Sequence, residues 1–356
     1  MKKIISIISM FIIFSFIYAQ DMTLAVIPDS QNYVYLVCQK QYGYPFNQSE
    51  IFYNQIEYIK KNARKNGGNI DFVIHLGDIV DRGHKIKEWD LAKDSMSLLD
   101  SSVPYLIVPG NHDYDEWIKI DGVNKIRGLK NFEKYFGESS DLALKNGFIT
   151  EAYKNSVNTA YIFKSGEKKF LFLGLEIEPD DSVLSWADMV ISENPDCAVV
   201  LVIHEYLSLI YEKSKPGIPS RYKNAELSEN AYANSSEDLW NKFICKNKQI
   251  FLVLCGHSFL GDNGEAVRTE LNNDGYPVYQ MLSNYQGRKR LFDVKKGFGI
   301  RRDCGDGWMR ILNFYFDRNL IQVKTYSTEL NCYEEDTDSS FIIQIDWKWE
   351  ERFCEK

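Results

Sequence analysis

The chain has no excess of positive charge: 42 Lys and Arg stand against 50 Asp and Glu, a formal net charge of -8 over 356 residues. Basic surfaces are what draw proteins to nucleic acid or to anionic membranes, so the charge argues against general affinity for either and no specific nucleic-acid partner is indicated. None of the seven cysteines forms a Cys-x-x-Cys pair, and a zinc ribbon or thioredoxin-type site has no support. There is no internal repeat, low-complexity tract or Pro/Gly/Ser-rich linker, which makes one compact domain the expectation. Beyond residue 22 no apolar run approaches the ~20 residues needed to span a bilayer.

With 44% apolar and 14% aromatic residues, the chain can bury a large core and is neither disordered nor fibrous. At the N-terminus, Met1-Lys2-Lys3 precedes an apolar run from Ile4 to about Tyr18, followed by the small residue Ala19. A basic flank, a short apolar core and a small residue read as a secretory signal peptide over residues 1–20, the alternative being an uncleaved anchor. A secreted or periplasmic domain over 21–350 is expected, without a stable membrane span after cleavage. The odd cysteine count leaves at least one thiol unpaired in an oxidising compartment. Cys197 and Cys255 fall in apolar, strand-like runs and read as buried, whereas Cys304 and Cys332 occupy polar loops and are the better disulfide candidates.

Apolar, β-branched runs alternate with helical stretches. Strands are expected at 23–28, 70–76 and 104–108, with helices at 49–65 and 86–99 between them; in the first helix Ile51, Phe52, Ile56 and Ile59 recur at helical spacing. This βαβαβ order predicts a sheet with parallel strands and crossover helices, an α/β fold. Further strands are expected at 160–163, 170–175, 198–203 and 250–254, with helices near 182–192 and 237–245. The last third is richer in strands, at 278–282, 308–316, 320–325 and 341–345, with a turn at Asp317-Arg318-Asn319.

Five polar segments follow apolar strands: Asp29-Ser30-Gln31, Gly77-Asp78-Ile79-Val80-Asp81, Gly110-Asn111-His112-Asp113, Ile203-His204-Glu205 and Gly256-His257-Ser258-Phe259. In open α/β sheets ligands are held at the carboxyl ends of the strands, where these residues would meet. Each segment alone has a bland reading as a turn or strand end. Together they supply carboxylate, amide and imidazole donors, the inventory of a site for divalent cations.

The order of these segments resembles the calcineurin-like metallophosphoesterase superfamily, whose signature runs D-x-H, G-D-x-x-D, G-N-H-D or G-N-H-E, a lone His, and G-H-x-H. The resemblance implies a four-layer α-β-β-α sandwich with the metal site at the strand carboxyl ends. It implies two divalent ions (Mn, Fe, Zn or Mg) and hydrolysis of a phosphate mono- or diester, with a metal-bound hydroxide as nucleophile. By residue, Asp78 would bridge the ions, Asn111, His204 and His257 would complete one site, and Asp29 and Gln31 would hold the other. His112 would be the general acid or a charge stabiliser, oriented by Asp81, while Asp113 would orient its loop.

Two positions depart from the signature: Gln31 stands where a His is usual, and Phe259 replaces the second His of G-H-x-H. Unequal sites are therefore expected, the complete one tighter and suited to Fe, Zn or Mn, the weaker filled by Mn, Mg or Ca with added waters. Glu265 is a candidate stand-in for the missing ligand, against a solvated loop residue. Residues 77–83 also match the Gly-Asp-x-Val-Asp-Arg-Gly form of serine/threonine protein phosphatases, which makes Arg82 either a phosphate clamp or a surface turn residue. Arg288, Lys289, Arg290, Arg301 and Arg302 form a basic stretch that would steer a phosphorylated substrate or simply be solvated. His75 reads as a satisfied core or supporting histidine, and His84 as an exposed loop residue. The alternatives to a phosphoesterase on small esters are a secreted serine/threonine protein phosphatase and a catalytically impaired, metal-stabilised binding module. The oligomeric state is not readable.

Overall fold

A computed structural model describes residues 21–120, 123–138, 140, 151–154, 156–225, 232–288 and 305–353. The signal-like segment, Cys304, Cys354, Lys289, Arg290, Arg301 and Arg302 lie outside the described residues.

The apolar runs form two seven-stranded sheets. The first contains β1 (Met22–Ile27), β2 (Phe72–His75), β3 (Tyr105–Ile107), β15 (Trp308–Tyr315), β16 (Leu320–Ser327), β17 (Cys332–Glu334) and β18 (Phe341–Gln344), in the order β17-β16-β15-β1-β2-β3 with β18 also on β16. The second contains β6 (Glu151–Tyr153), β7 (Asn158–Ser165), β8 (Lys168–Leu175), β9 (Cys197–Ile203), β12 (Ile250–Cys255), β13 (Glu265–Leu271) and β14 (Pro277–Ser283), in the order β13-β14-β12-β9-β8-β7-β6. Two small hairpins stand apart, β4 (Glu116–Ile120) with β5 (Val123–Arg127), and β10 (Leu207–Tyr211) with β11 (Pro219–Arg221).

The two central strand groups are parallel: β1, β2 and β3 in one sheet, and β8, β9, β12 and β14 in the other. Their side chains alternate between two buried faces, which is why the strands read as unbroken apolar runs rather than as polar–apolar alternation. In β9, Ala198, Val200 and Val202 point between the sheets, while Val199, Leu201 and Ile203 pack beneath helices. The inter-sheet core is strongly aromatic, and Phe72 stacks on Phe172 across it with ring centroids 4.1 Å apart.

The helices Ser49–Lys61 and Ile86–Met96 cover the first sheet through Phe52, Ile56, Trp89 and Met96. The helices Asp181–Glu193 and Ser236–Lys242 cover the second through Val183, Val190 and Leu239. Helix, sheet, sheet and helix make the four expected layers. Among the described residues no helix is long and apolar enough to cross a membrane. Cys197 and Cys255 are buried, and Cys332 is exposed and free.

Three differences from the sequence reading have simple causes. The first helix stops at Lys61, because Asn62 turns the chain and caps with its side chain on the Tyr58 carbonyl at 2.8 Å. Strand β13 was not anticipated, since Arg268 and Glu270 break its apolar pattern; Arg268 is buried but paired with Glu212 and Glu270. The Glu265 carboxylate is taken up by residues other than the expected metal ligands. It is buried under β16, where it accepts hydrogen bonds from Tyr285, Thr325, Ser339 and Arg288 and pairs with Arg310.

Candidate metal centre

Parallel pairing sends the chain off six strands at the same edge of the sandwich: β1 into Asp29, β2 into Asp78, β3 into Asn111, β9 into His204, β12 into His257 and β14 into Asn284. Two of these turns hold non-glycine residues in the left-handed region, Asp78 at φ 50° and His257 at φ 68°. Such conformations cost on the order of 1 kcal/mol or more and persist where surrounding bonds enforce them. Asp78 Oδ1 accepts the His112 backbone N–H at 2.8 Å, and the His257 N–H donates to Asp29 Oδ1 at 3.2 Å. Gly110 lies so close to Asp78 that a Cβ would sit 2.2 Å from its carboxylate.

Four donor atoms converge on one point. Asn111 Oδ1 lies 3.2 Å from His204 Nε2 and 2.9 Å from His257 Nδ1; the two ring nitrogens are 3.2 Å apart, and Asp78 Oδ2 is 3.3 Å from His204 Nε2. Ligands about 2.1 Å from a shared ion are spaced by roughly 3.0–3.4 Å, so this set fits one divalent cation. The far side of each ring is anchored in the manner of metal-binding histidines. His204 Nδ1 donates to the Leu76 carbonyl at 2.8 Å, and His257 Nε2 faces the buried Glu205 carboxylate at 3.5 Å. Those anchors leave the lone pairs of His204 Nε2 and His257 Nδ1 pointing at the convergence.

Electrostatics agree with that geometry. Burial pushes Asp78 up, but the facing His204 outweighs it and holds the carboxyl below the usual range. Burial likewise disfavours a charged His204, yet Asp78 holds its pKa well above that of a free imidazole. His257 is pushed down to about 4 by burial and by His204. A buried cluster whose carboxylate is held ionised beside two facing imidazoles is served by a divalent cation at its centre.

Asp29 and Gln31 lie beside this point. Asp29 Oδ2 accepts from Asn284 Nδ2 at 2.8 Å and Gln286 Nε2 at 3.1 Å, and burial pushes its carboxyl up to about 7, with His204 opposing. Gln31 Nε2 donates to Asp78 Oδ2 at 3.0 Å, while its Oε1 is buried without a hydrogen-bond partner. A buried unpaired acceptor is costly, and here it belongs to a residue that lines the cavity over the cluster.

His112 stands at the rim, partly buried. Its Nδ1 lies 2.8 Å from the Asp81 backbone carbonyl and 3.7 Å from the Asp81 carboxylate. Its orientation thus comes mainly from the main chain of Asp81 rather than from its side chain. The neighbouring Asp78 and the Asp81 carbonyl raise its pKa although burial opposes them. Asp113, wholly buried, accepts the N–H groups of Ile79 at 2.8 Å, Val80 at 3.0 Å and Gly110 at 2.8 Å. It binds the Asp78 loop to the Asn111 loop. His75 Nδ1 accepts the Gly77 N–H at 3.2 Å and its Nε2 meets Ser30 Oγ at 3.0 Å; burial keeps it neutral, with a pKa near 3. Arg82 donates to the Tyr35 hydroxyl at 2.5 Å with the guanidinium over the ring, and its Nε lies 3.4 Å from the Asp81 carboxylate. His84 is exposed. Arg288 is partly buried against Glu265 and Glu334.

A cavity of about 280 Å³ opens over the donors, lined by Gln31, Asp78, Asn111, His112, Tyr222, His257, Ser258, Phe259 and Gln286. Tyr222, Asn284 and Gln286 were not singled out as site residues in the sequence. Asn284 and Gln286 follow β14 as Asp29 follows β1, so the strand-end rule would have found them; Tyr222 follows a hairpin strand without such a signal.

Relatives are found by sequence and by fold. The chain is 28% identical over 331 residues to the uncharacterized protein YvnB of Bacillus subtilis, covering 90% of this chain and 22% of that one. It is 30% identical over 190 residues to the probable glycerophosphodiester phosphodiesterase GpdQ of Arcobacter nitrofigilis, covering 52% of this chain and 56% of the relative. The chain therefore spans well under two thirds of either relative's length. Among solved structures, purple acid phosphatase PPD1 from yellow lupin (Lupinus luteus) seeds shares the fold at a TM-score of 0.50 and 14% identity, covering 92% of this chain and 54% of the phosphatase. Residues 22–259 match the calcineurin-like phosphoesterase family, and with more than half its length matched on the strands and loops that carry the converging donors, the chain belongs to that family.

Proposed function

We propose that the protein hydrolyses phosphate esters with divalent metal held by Asp78, Asn111, His204 and His257, and with a second cation beside Asp29 and Gln31. The observation that carries this reading is the convergence of two imidazole nitrogens, an amide oxygen and a carboxylate oxygen, joined by four contacts of 2.9–3.3 Å. When bound, the metal supplies Lewis acidity toward the phosphoryl oxygen and lowers the pKa of water. Asp78 and Asn111 place that chemistry under the cavity floor, and the neutral amide limits negative charge facing an anionic substrate. His112, with Nδ1 on the Asp81 carbonyl, turns Nε2 toward the opening, where a protonated ring donates to the leaving oxygen. The Asp78 carboxylate and the Asp81 carbonyl favour the protonated ring although burial opposes them.

Within this reading we favour a phosphodiester. The described cavity lining contains no Lys or Arg and includes the aromatic faces of Tyr222 and Phe259. A diester carries one negative charge and a second organic group, whereas a monoester carries about two charges and calls for more cationic contacts. The name of the GpdQ relative points the same way. The serine/threonine phosphatase reading is weakened by Arg82, whose guanidinium is engaged by Tyr35 and Asp81 and which does not line the cavity.

The test uses signal-less protein with Mn, Zn or Mg and compares bis-p-nitrophenyl phosphate with p-nitrophenyl phosphate. Turnover of the diester in excess is expected, with His112→Ala losing roughly two to four orders of magnitude in rate while bound metal is unchanged. Silence with every metal and with a broad ester panel would leave the metal-stabilised binding module as the better reading.

A further inference from the structure

Phe259 stands where the family signature has its second histidine, and it is the one hydrocarbon side chain among the described residues that line the cavity over the donors. It is 42% exposed. A single exposed ring on an ordinary surface needs no explanation, but this one is built into a cavity beside the metal donors. A Cβ on Gly287, in the loop after β14, would lie 2.4 Å from Phe259 Cδ2 and 2.7 Å from its Cε2. The ring therefore rests against main chain at a position that only glycine leaves open.

Resting on the phosphodiester reading above, we infer that Phe259 is a specificity-determining wall against which one ester group of the substrate stacks, so that the site selects diesters bearing a planar aromatic substituent.

The loop that carries the ring is fixed on both sides of it. Before it, the His257 N–H donates to Asp29 Oδ1 at 3.2 Å and Ser258 Oγ accepts the Leu209 N–H at 3.2 Å. After it, Leu260 and Asn263 exchange two backbone hydrogen bonds, at 2.7 and 3.2 Å. A wall held in place before the ligand arrives loses little freedom on binding, which is how preorganised contacts gain affinity. Tyr222 adds a second ring to the same cavity, set edge-on against the His257 ring with centroids 5.9 Å apart. Aromatic pairs gain attraction beyond the area they bury, worth about fivefold in affinity, whereas an alkyl group of similar size gains burial alone. Phe259 has no group that can bind metal or move a proton, so its contribution falls on binding rather than on the chemical step.

The experiment is calorimetric titration of the metal-loaded protein with diphenyl, dibutyl and dimethyl phosphate, three singly charged diesters whose leaving groups are poor. Wild type should bind diphenyl phosphate about fivefold more tightly than dibutyl phosphate, with dimethyl phosphate the weakest. Phe259→Ala should lower the diphenyl-to-dibutyl ratio by at least about threefold, and Phe259→Tyr should keep it. Metal content, counted by elemental analysis, shows that each variant is folded. Equal affinities for diphenyl and dibutyl phosphate in wild type overturn the inference, and so does an undiminished ratio in Phe259→Ala. Binding of none of the three would overturn the phosphodiester reading and the inference with it, whereas binding without preference strikes the role of Phe259 alone.

Discussion

Replacing Asp113 should cost more stability than replacing any exposed carboxylate, although Asp113 touches neither cavity nor solvent. Its two carboxylate oxygens accept three buried backbone N–H groups, from Ile79, Val80 and Gly110 at 2.8–3.0 Å. Asp113→Ala strands all three donors, and each buried unsatisfied donor costs about 1–3 kcal/mol. Partial relaxation and water entry lower the sum, so a loss of about 3–6 kcal/mol is expected. Asp113→Asn keeps one oxygen for Ile79 and Val80 but turns an NH2 toward the Gly110 N–H, so about 1–3 kcal/mol should be lost. The measurement is urea unfolding at pH 7 in chelator, because metal binding would otherwise add its own linkage term. A midpoint shift at constant slope reads the stability change. Metal affinity should fall as well in whatever fraction remains folded, since Asp113 ties the loop of Asp78 to the loop of Asn111. If Asp113→Ala unfolds within about 0.5 kcal/mol of wild type, the loops are held by something else and the reasoning fails.

Other expectations follow from single contacts. His75 is neutral when folded, its pKa pushed from 6.5 to about 3 by burial. A base with a lowered folded pKa contributes stability that is complete above its unfolded pKa and is lost as pH falls toward the folded one. Between pH 7 and pH 5 wild type should therefore lose about 2 kcal/mol more than His75→Gln, read from urea midpoints at each pH; equal slopes would contradict this. Phe72→Ala removes a ring stacked across the two sheets at 4.1 Å and should cost about 3–5 kcal/mol in the same assay, whereas a loss below 1 kcal/mol would mean that the sandwich recloses. Arg82→Ala should change kcat/KM for small diesters by less than about threefold, because the residue faces Tyr35. A hundredfold loss would return Arg82 to the role of phosphate clamp.

The layers and the metal-facing edge could be read from the chain because both depend on local pattern. Strands buried on both faces must be uniformly apolar, and the polar residue that ends each run falls at the carboxyl edge once the strands are parallel. That logic placed Asp29, Asp78, Asn111, His204 and His257 together without reference to any partner residue. It failed where chemistry depends on pairing across long sequence separations. Glu265 looked available for the metal because it follows Gly264 near the altered motif, but Arg288, Arg310, Tyr285, Thr325 and Ser339 claim its oxygens, some of them from 60 or more residues away. Arg82 read as either a clamp or a surface turn residue because its motif is shared with phosphatases, while its hydroxyl partner Tyr35 stands 47 residues earlier. The strand-end rule puts Gln286 at the same edge, but nothing local shows that it meets Asp29, 257 positions earlier. The two departures Gln31 and Phe259 therefore have opposite meanings. Gln31 keeps a polar side chain on Asp78, donating to its Oδ2 at 3.0 Å, whereas Phe259 places only a ring at the cavity edge.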